Sequence, residues 1–324
     1  MKAAYLNGPG GPEAFVYGDL PDPKAGAGEV LIRVRATTVN HVDTVYRSGI
    51  RPYFKITPPH VLGLELAGDV VAAGEGVQGF KAGDRVVASP RTGAYAELAV
   101  AEARNVVKLP ASVSYEDGAA MAGTGATAWR AVVRRAEIRP SEIVLVTAAA
   151  GGTGGMIAQV AKASGAFVIG TAGGQRKLDL VKSLGADAVI DHYKEDLIAR
   201  IKEITEGYGI DAAIDATSSA PIWSAITESL RPGGRVVLYG NMASQEVSFL
   251  VRHVFPKGLK IIGLAGDPAE VAATRPADMI GLMRLAAQGK MRSLTDRVLP
   301  LAEVAEAHRL VEDHAVAGKV VLTP

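Results

Sequence analysis

The sequence predicts an α/β protein in which a mostly β region is joined to a doubly wound parallel sheet, and three observations predict it. Roughly the first 120 residues alternate short β-prone runs with Gly and Pro. From about Gly123 onward, apolar strand runs alternate with amphipathic helices, the pattern of a parallel sheet covered on both faces. A glycine-rich loop follows the first of those strands and opens a helix.

Taken in order, Val30-Leu31-Ile32-Arg33-Val34-Arg35-Ala36 alternates partly, and Val70-Val71-Ala72 and Arg85-Val86-Val87-Ala88 follow turn signals. Pro21-Asp22-Pro23, Gly26-Ala27-Gly28 and Lys81-Ala82-Gly83-Asp84 punctuate the joints. In the second region strands are expected at Ile143 to Thr147, Phe167 to Thr171, Ala188 to Ile190, Asp211 to Asp215, Val236 to Tyr239 and Lys260 to Leu264, a set that suits a doubly wound fold. The helix after the first of them aligns Ile157, Val160 and Ala161, and a helix around Ala272 to Gln288 repeats Met279, Leu282, Met283 and Leu285, both read as core stripes. A helix carrying Val304, Ala307, Leu310 and Val311 leads into a last strand, Gly318 to Thr323, expected to return to the first domain. Two domains of ordinary size, meeting around a cleft, are the expectation for 324 residues.

Composition narrows the partners. Lys and Arg total 35 against 34 for Asp and Glu, which gives no general electrostatic reason to bind nucleic acid or an anionic membrane. A small-molecule partner is expected. Hydrophobic residues make up 48%, yet Gly or charge interrupts every apolar run before the roughly 18 residues of a membrane span. Met1 to Gly10 lacks the pattern of a secretory signal, so a cytoplasmic protein is expected. Cysteine is absent, which excludes disulfides, thiolate metal ligands, iron–sulfur clusters and a cysteine nucleophile.

The loop reads Ala148-Ala149-Ala150-Gly151-Gly152-Thr153-Gly154-Gly155. Set on the G-x-G-x-x-G dinucleotide fingerprint, its three positions fall on Ala149, Gly151 and Gly154, so small residues keep the tight turn and the close approach to a pyrophosphate. Ala150, Gly151, Gly152, Thr153 and Gly154 are the candidate contacts, with phosphate at the helix N-terminus. The tip of the second strand, Thr171-Ala172-Gly173-Gly174-Gln175-Arg176-Lys177, has no acid to bind a ribose 2′-hydroxyl, and Asp179 lies deeper in the following helix. Lys177, with Arg176 competing, is placed to pair a 2′-phosphate, and Thr171, Gly173 and Tyr193 complete the candidate set. NADPH is the expected cofactor.

At this point the chain resembles the zinc-independent quinone oxidoreductase branch of the medium-chain dehydrogenase/reductase superfamily. The motifs are Val39-Asn40-His41-Val42-Asp43-Thr44-Val45-Tyr46-Arg47-Ser48-Gly49, Gly63-Leu64-Glu65-Leu66-Ala67-Gly68, Gly83-Asp84-Arg85-Val86, Gly93-Ala94-Tyr95-Ala96-Glu97 and the Ala-Ala-Gly-Gly-x-Gly loop. The resemblance implies a GroES-like catalytic domain, residues 1–122 and 267–324, around an NADPH-binding Rossmann domain at 123–266, and a homodimer. It implies hydride transfer to a quinone or an α,β-unsaturated carbonyl compound. Zinc-dependent relatives carry a Cys where Asn40 stands and a His where Leu64 stands, so no metal is expected; His41, His60, His192, His253, His308 and His314 offer no ligand set of their own. Asn40 and Tyr46 become candidate hydrogen-bond donors to the reacting oxygen, with Asp43 a buttress of the same loop, Arg47 a lesser candidate and Tyr53 a substitute for Tyr46. Asn40, Thr127, Gly240, Asn241 and Lys319 carry over as cofactor contacts. The tyrosine departs from the family pattern by one position, a rotation of about 100° on a helix, which makes Tyr46 equally a packing residue. The alternatives are an enoyl-thioester or acryloyl-CoA-type reductase, with Arg51, Lys55, Arg252 and Lys257 as candidate basic entrance residues, and a catalytically idle NADPH-binding protein.

Overall fold

The computed structural model describes residues 1–50, 55–244 and 246–324. In chain order the first part contains β1 (Lys2–Leu6), β2 (Phe15–Asp19), β3 (Glu29–Val39), α1 (His41–Ser48), β4 (His60–Val61), β5 (Leu66–Ala73), β6 (Arg85–Ala88), β7 (Leu98–Glu102), β8 (Val106–Lys108) and α2 (Tyr115–Trp129). Then come β9 (Ile143–Val146), α3 (Gly152–Ala163), β10 (Phe167–Ala172), α4 (Gln175–Ser183), β11 (Ala188–Asp191), α5 (Leu197–Ile204), β12 (Ile210–Asp215), α6 (Ala220–Ser229), β13 (Leu230–Leu238), α7 (Val251–Val254) and β14 (Lys260–Gly263). The chain closes with α8 (Pro268–Ala287), β15 (Thr295–Pro300), α9 (Val304–Glu312) and β16 (Lys319–Thr323). It divides into two compact units, residues Met1–Ala126 with Ala272–Pro324, and Thr127–Val271.

The first unit is a mostly β body. β3 shows why: Val30, Ile32, Val34 and Ala36 are buried while Arg33 and Arg35 face outward, a period of two that covers one face of a sheet. The inward residues pack on Leu66, Val70, Val86, Ala88, Ala99 and Val106. From Ala36 to Val39 every residue of β3 is buried, and β16 pairs with the strand from Thr37 to Val39. β16 pairs antiparallel with β3, so the end of the chain does return to the unit built by its beginning.

The second unit holds a parallel sheet in the order β11-β10-β9-β12-β13-β14. Counted from β9 this is the doubly wound order 3-2-1-4-5-6, with the reversal of direction beside β9. The six expected strands are all present; five have ends within one residue of those expected, while β13 begins at Leu230, six residues before the expected Val236. Tyr239 lies past the end of β13, although its N–H still donates to the Asp215 carbonyl at 2.9 Å. The core gathers Leu145, Ile169, Ile190, Ala213, Trp223, Ile226 and Val236. The helix expected from Ala272 begins earlier, at Pro268, a residue whose fixed φ suits a first turn. Among the described residues no helix is long and apolar enough to cross a membrane.

Candidate active site

In a parallel doubly wound sheet the loops after the carboxyl ends of the strands share one edge, and ligands bind there. The residues expected to hold a dinucleotide collect along it. Ala150, Gly151, Gly152, Thr153 and Gly154 follow β9, Thr171 closes β10 with Gly173 just beyond, Tyr193 follows β11, and Gly240 and Asn241 follow β13. The loop after β9 turns through Ala148 in the left-handed region at φ 49°. A Cβ on Gly154 would lie 2.1 Å from the Ala148 carbonyl oxygen, so this position admits no side chain while the helix packs so closely on the strand. α3 opens at Gly152, and its first-turn N–H groups have no partner within the helix.

At the end of β10 the Thr171 side chain is 1% exposed and its Oγ1 has no partner among the described residues. The Tyr193 ring, 80% exposed, lies over Gly173, where an added Cβ would meet it at 2.1 Å. His192 stands beside that ring at 4.4 Å between centroids. Burial holds its imidazole below the usual pKa, opposed by the charge of Asp191 and aided by that of Lys177; Lys177 itself lies in the first turn of α4, just beyond β10. Asp179 is tied to Gln175 Nε2 at 2.7 Å on the exposed side of α4.

An interaction that sequence reasoning passed over braces this edge. Asp215, buried at the end of β12, accepts from Thr147 Oγ1 at 2.6 Å, Thr217 Oγ1 at 2.8 Å, the Ser218 N–H at 2.9 Å and Trp223 Nε1 at 2.9 Å. It thereby ties β9 to the start of α6. The loop it shapes is tied to the next, because Ser218 Oγ donates to the Gly240 carbonyl at 3.1 Å. The available signal was an acid at the carboxyl end of a fully buried strand.

In the first unit the registers of two strand pairs assemble a polar cluster. Val320 pairs with Val39, and one step on sets Lys319 opposite Asn40; Leu66 pairs with Thr37, and one step back sets Glu65 beside Thr38. Lys319 Nζ donates to Asn40 Oδ1 at 2.6 Å and to Glu65, while Asn40 Nδ2 donates to Glu65 Oε1 at 2.8 Å. Asn40 is also the cap of α1, where its N–H donates to Asp43 Oδ2 at 2.8 Å. Asp43 is fully buried, and desolvation pushes its carboxyl up to about 7 despite the Asn40 hydrogen bond and the charge of Lys319; Glu65 adds to the rise.

Behind Asp43 runs a second buried chain. Arg47 Nη1 stands 3.1 Å from His308 Nδ1, and a guanidinium only donates, so Nδ1 accepts and the ring proton sits on Nε2. That nitrogen lies 3.3 Å from the buried Tyr95 hydroxyl. Burial, reinforced by Arg47, lowers His308 to about 3, so it stays neutral. Burial and the adjacent Asp43 raise Tyr95 well above the usual phenol range. Arg47 is thus engaged in joining α1 to α9, where it also pairs with Glu312 at 2.5 Å.

Tyr46 lies half-buried on α1, packed against the cluster of Ala4, Leu6, Val39, Leu62 and Tyr95. Tyr53 and Arg51 lie outside the described residues. Lys257 does not serve an entrance: its Nζ donates to the carbonyls of Thr227 at 3.2 Å, Glu228 at 2.5 Å and Leu230 at 2.9 Å, where a cation satisfies the unpaired end of α6. Thr127 is half-buried on α2. Among the described residues no three His, Asp or Glu side chains are grouped to hold a metal ion.

Comparison with known proteins gives this arrangement its relatives. Residues 26–111 match the alcohol dehydrogenase GroES-like domain, and residues 152–285 match the zinc-binding dehydrogenase family. The chain is 33% identical to a quinone oxidoreductase of Pseudomonas aeruginosa over 321 residues, 97% of each chain. It belongs to the medium-chain dehydrogenase/reductase superfamily, in its quinone oxidoreductase branch. It is therefore an oxidoreductase. Other members of the family lie at similar distance: an acryloyl-coenzyme A reductase of Metallosphaera sedula is 31% identical with full coverage of both chains. Among solved structures, a mycobacterial quinone oxidoreductase superposes with a TM-score of 0.90 at 30% identity, and a mycobacterial protein in complex with NADPH with 0.89 at 30%, each covering 100% of both chains.

Proposed function

We propose that the chain is an NADPH-dependent reductase that works without zinc and passes hydride to a quinone or an α,β-unsaturated carbonyl compound. The observation that carries the reading is the gathering of small residues, an unpartnered Thr171 hydroxyl, an exposed Tyr193 ring and Lys177 along one sheet edge whose second strand ends without an acid. This edge fits a dinucleotide, because Gly151 leaves the backbone approachable, Gly154 lets α3 pack closely on the loop after β9, and α3 presents its N-terminus to a pyrophosphate. Lys177 pairs the 2′-phosphate, Tyr193 and Gly173 flank the adenosine, and Thr127, Gly240 and Asn241 serve the nicotinamide half. When bound, the cofactor supplies the hydride and the protein supplies orientation and donors. Reduction leaves negative charge on the acceptor oxygen, and Asn40 donates to it, a contact worth roughly 3 kcal/mol where water is excluded. Asp43 buttresses the Asn40 turn.

Zinc does not fit. The positions that hold it in zinc-dependent relatives are Asn40 and Leu64 here, and the chain contains no cysteine. A homodimer completes the reading. β14 is an edge strand of its sheet with Ile261 42% exposed, and Val251 and Phe255, shortly before it in the chain, are 70% and 81% exposed, apolar surface suited to a second copy.

The test is oxidation of NADPH and of NADH, followed at the nicotinamide absorbance in chelator-treated buffer, with a quinone, a short enone and crotonyl-CoA in parallel. NADPH-selective turnover of quinone or enone that survives chelation is expected. Preference for NADH removes the role of Lys177, and activity lost to chelation removes the zinc-free mechanism. Turnover confined to crotonyl-CoA makes the chain an enoyl-thioester reductase. NADPH binding without turnover on any acceptor leaves it a binding protein.

A further inference from the structure

Glu65 is fully buried, and donors from three segments of the chain meet on its carboxylate. Oε1 accepts from Thr38 Oγ1, from Asn40 Nδ2 at 2.8 Å and from Lys319 Nζ. Oε2 accepts from the N–H groups of Gly123 at 2.5 Å and Thr124 at 3.3 Å, at α2. A Cβ on residue 123 would lie 2.5 Å from Oε2, so glycine is what lets the carboxylate reach the helix backbone. Lys319, 3% exposed, closes a triangle by donating to Asn40 Oδ1 at 2.6 Å.

The chemistry of the triangle fixes its sense. An ammonium only donates and a carboxylate only accepts. The amide atom of Asn40 facing Lys319 must therefore be oxygen, and the one facing Glu65 must be nitrogen. A flipped amide would set N–H against an ammonium and C=O against a carboxylate, exchanging two charge-assisted hydrogen bonds for two repulsions. An amide orientation that ordinarily has to be inferred from its surroundings is here dictated by charge. Nδ2 carries two protons and Glu65 takes one, so a half-buried Asn40 keeps a second N–H of fixed direction.

We propose that Glu65 and Lys319 are positioning residues, a buried ion pair that locks the Asn40 amide so that its second N–H is held as the donor to the reacting oxygen. The proposal rests on the reading of Asn40 above, and it gives Lys319 a function exercised through Asn40. Its consequence is that this donor is aligned before any ligand arrives, the condition under which a hydrogen bond stabilises charge without reorganisation.

The chain has four asparagines, Asn7, Asn40, Asn105 and Asn241, so asparagine-selective 15N labelling of the full-length protein resolves each side-chain amide, and N40A assigns that of Asn40. Without cofactor, the wild-type Asn40 pair is expected to show one proton shifted strongly downfield by the Glu65 carboxylate. In the double variant E65Q/K319M, which leaves no unpaired buried charge, that shift is lost. The kcat then falls by about tenfold or more with KM changed less than about threefold, as for a donor misaligned by a fraction of an ångström. An Asn40 resonance unchanged in the double variant, or a folded double variant with wild-type kcat, overturns the lock. If the double variant does not fold, the wild-type spectrum decides, since an Asn40 pair at free-amide positions overturns it equally. N40A with wild-type kcat overturns the assignment of Asn40 as donor, a result distinguishable from a failed lock because the resonances are read without turnover.

Discussion

Gly151 and Gly154 lie in the same loop and are required for different reasons. An added Cβ at Gly154 would meet the Ala148 carbonyl at 2.1 Å, whereas at Gly151 the same oxygen is 3.3 Å away. G154A is therefore expected to lower the melting temperature and weaken NADPH binding together. G151A should leave the melting temperature nearly unchanged and weaken binding by about tenfold, because it obstructs only the approach of the pyrophosphate. Thermal scans with and without NADPH, beside fluorescence titration, separate the two. Asp43 gives a prediction in pH. Its folded carboxyl is raised from 3.8 to about 7, so between those values the folded chain keeps a proton that the unfolded chain has released. Stability then falls as pH rises through that window, at about 1.4 kcal/mol per unit for this group at the steepest. D43N, still able to accept from the Asn40 N–H, should remove most of that slope in urea unfolding measured from pH 4 to 8. A D43N slope equal to wild type would show that Asp43 is ionised throughout.

The start of α4 and the ends of β10 and β11 act as one element of specificity. Lys177 lies in the first turn of α4, while Tyr193 covers Gly173 from the loop after β11. On the proposed function, K177M removes a charge-assisted bond worth about 1.5–3 kcal/mol. The kcat/KM for NADPH should drop by tenfold to a hundredfold, with that for NADH unchanged. An equal loss with both cofactors would make Lys177 a structural residue of the helix. The pairing of α1 with α9 follows a different logic. Arg47, His308 and Glu312 form a joint between residues more than 250 positions apart in the chain, and a neutral His308 accepts from Arg47 without adding a second buried charge. Lys257 shows how an element can take up a residue expected elsewhere: its ammonium completes the carbonyl end of α6.

For the whole molecule, the apolar surface of β14 and of the segment before it predicts assembly. Sedimentation should give a particle of two chains, and F255D with I261D should shift it toward one chain with the far-ultraviolet circular dichroism intact; a wild-type monomer would remove the proposed homodimer. Val236 and Val237 do not report on this, because β13 is an interior strand and both are already buried within one chain. What the sequence determined by itself were local and periodic features. The strand–loop–helix order around Gly151, the six apolar runs and the missing acid after β10 each depend on residues close together in the chain, where spacing alone carries the geometry. The cluster of Asn40, Glu65 and Lys319 was decided by the tertiary structure, since it needs the registers of β16 and β5 on β3 to bring positions more than 250 residues apart within hydrogen-bond reach. Asn40 was legible as a candidate, but Glu65 stood only as one residue of a family motif and Lys319 as a cofactor contact, with nothing in the sequence to join the three. The same limit holds along α1: helical periodicity gives Tyr46 an angle about the axis, and only packing against Leu6, Leu62 and Tyr95 decides which side is the core. Burial and pairing are properties of surfaces brought together by folding, so no single segment of the chain contains them.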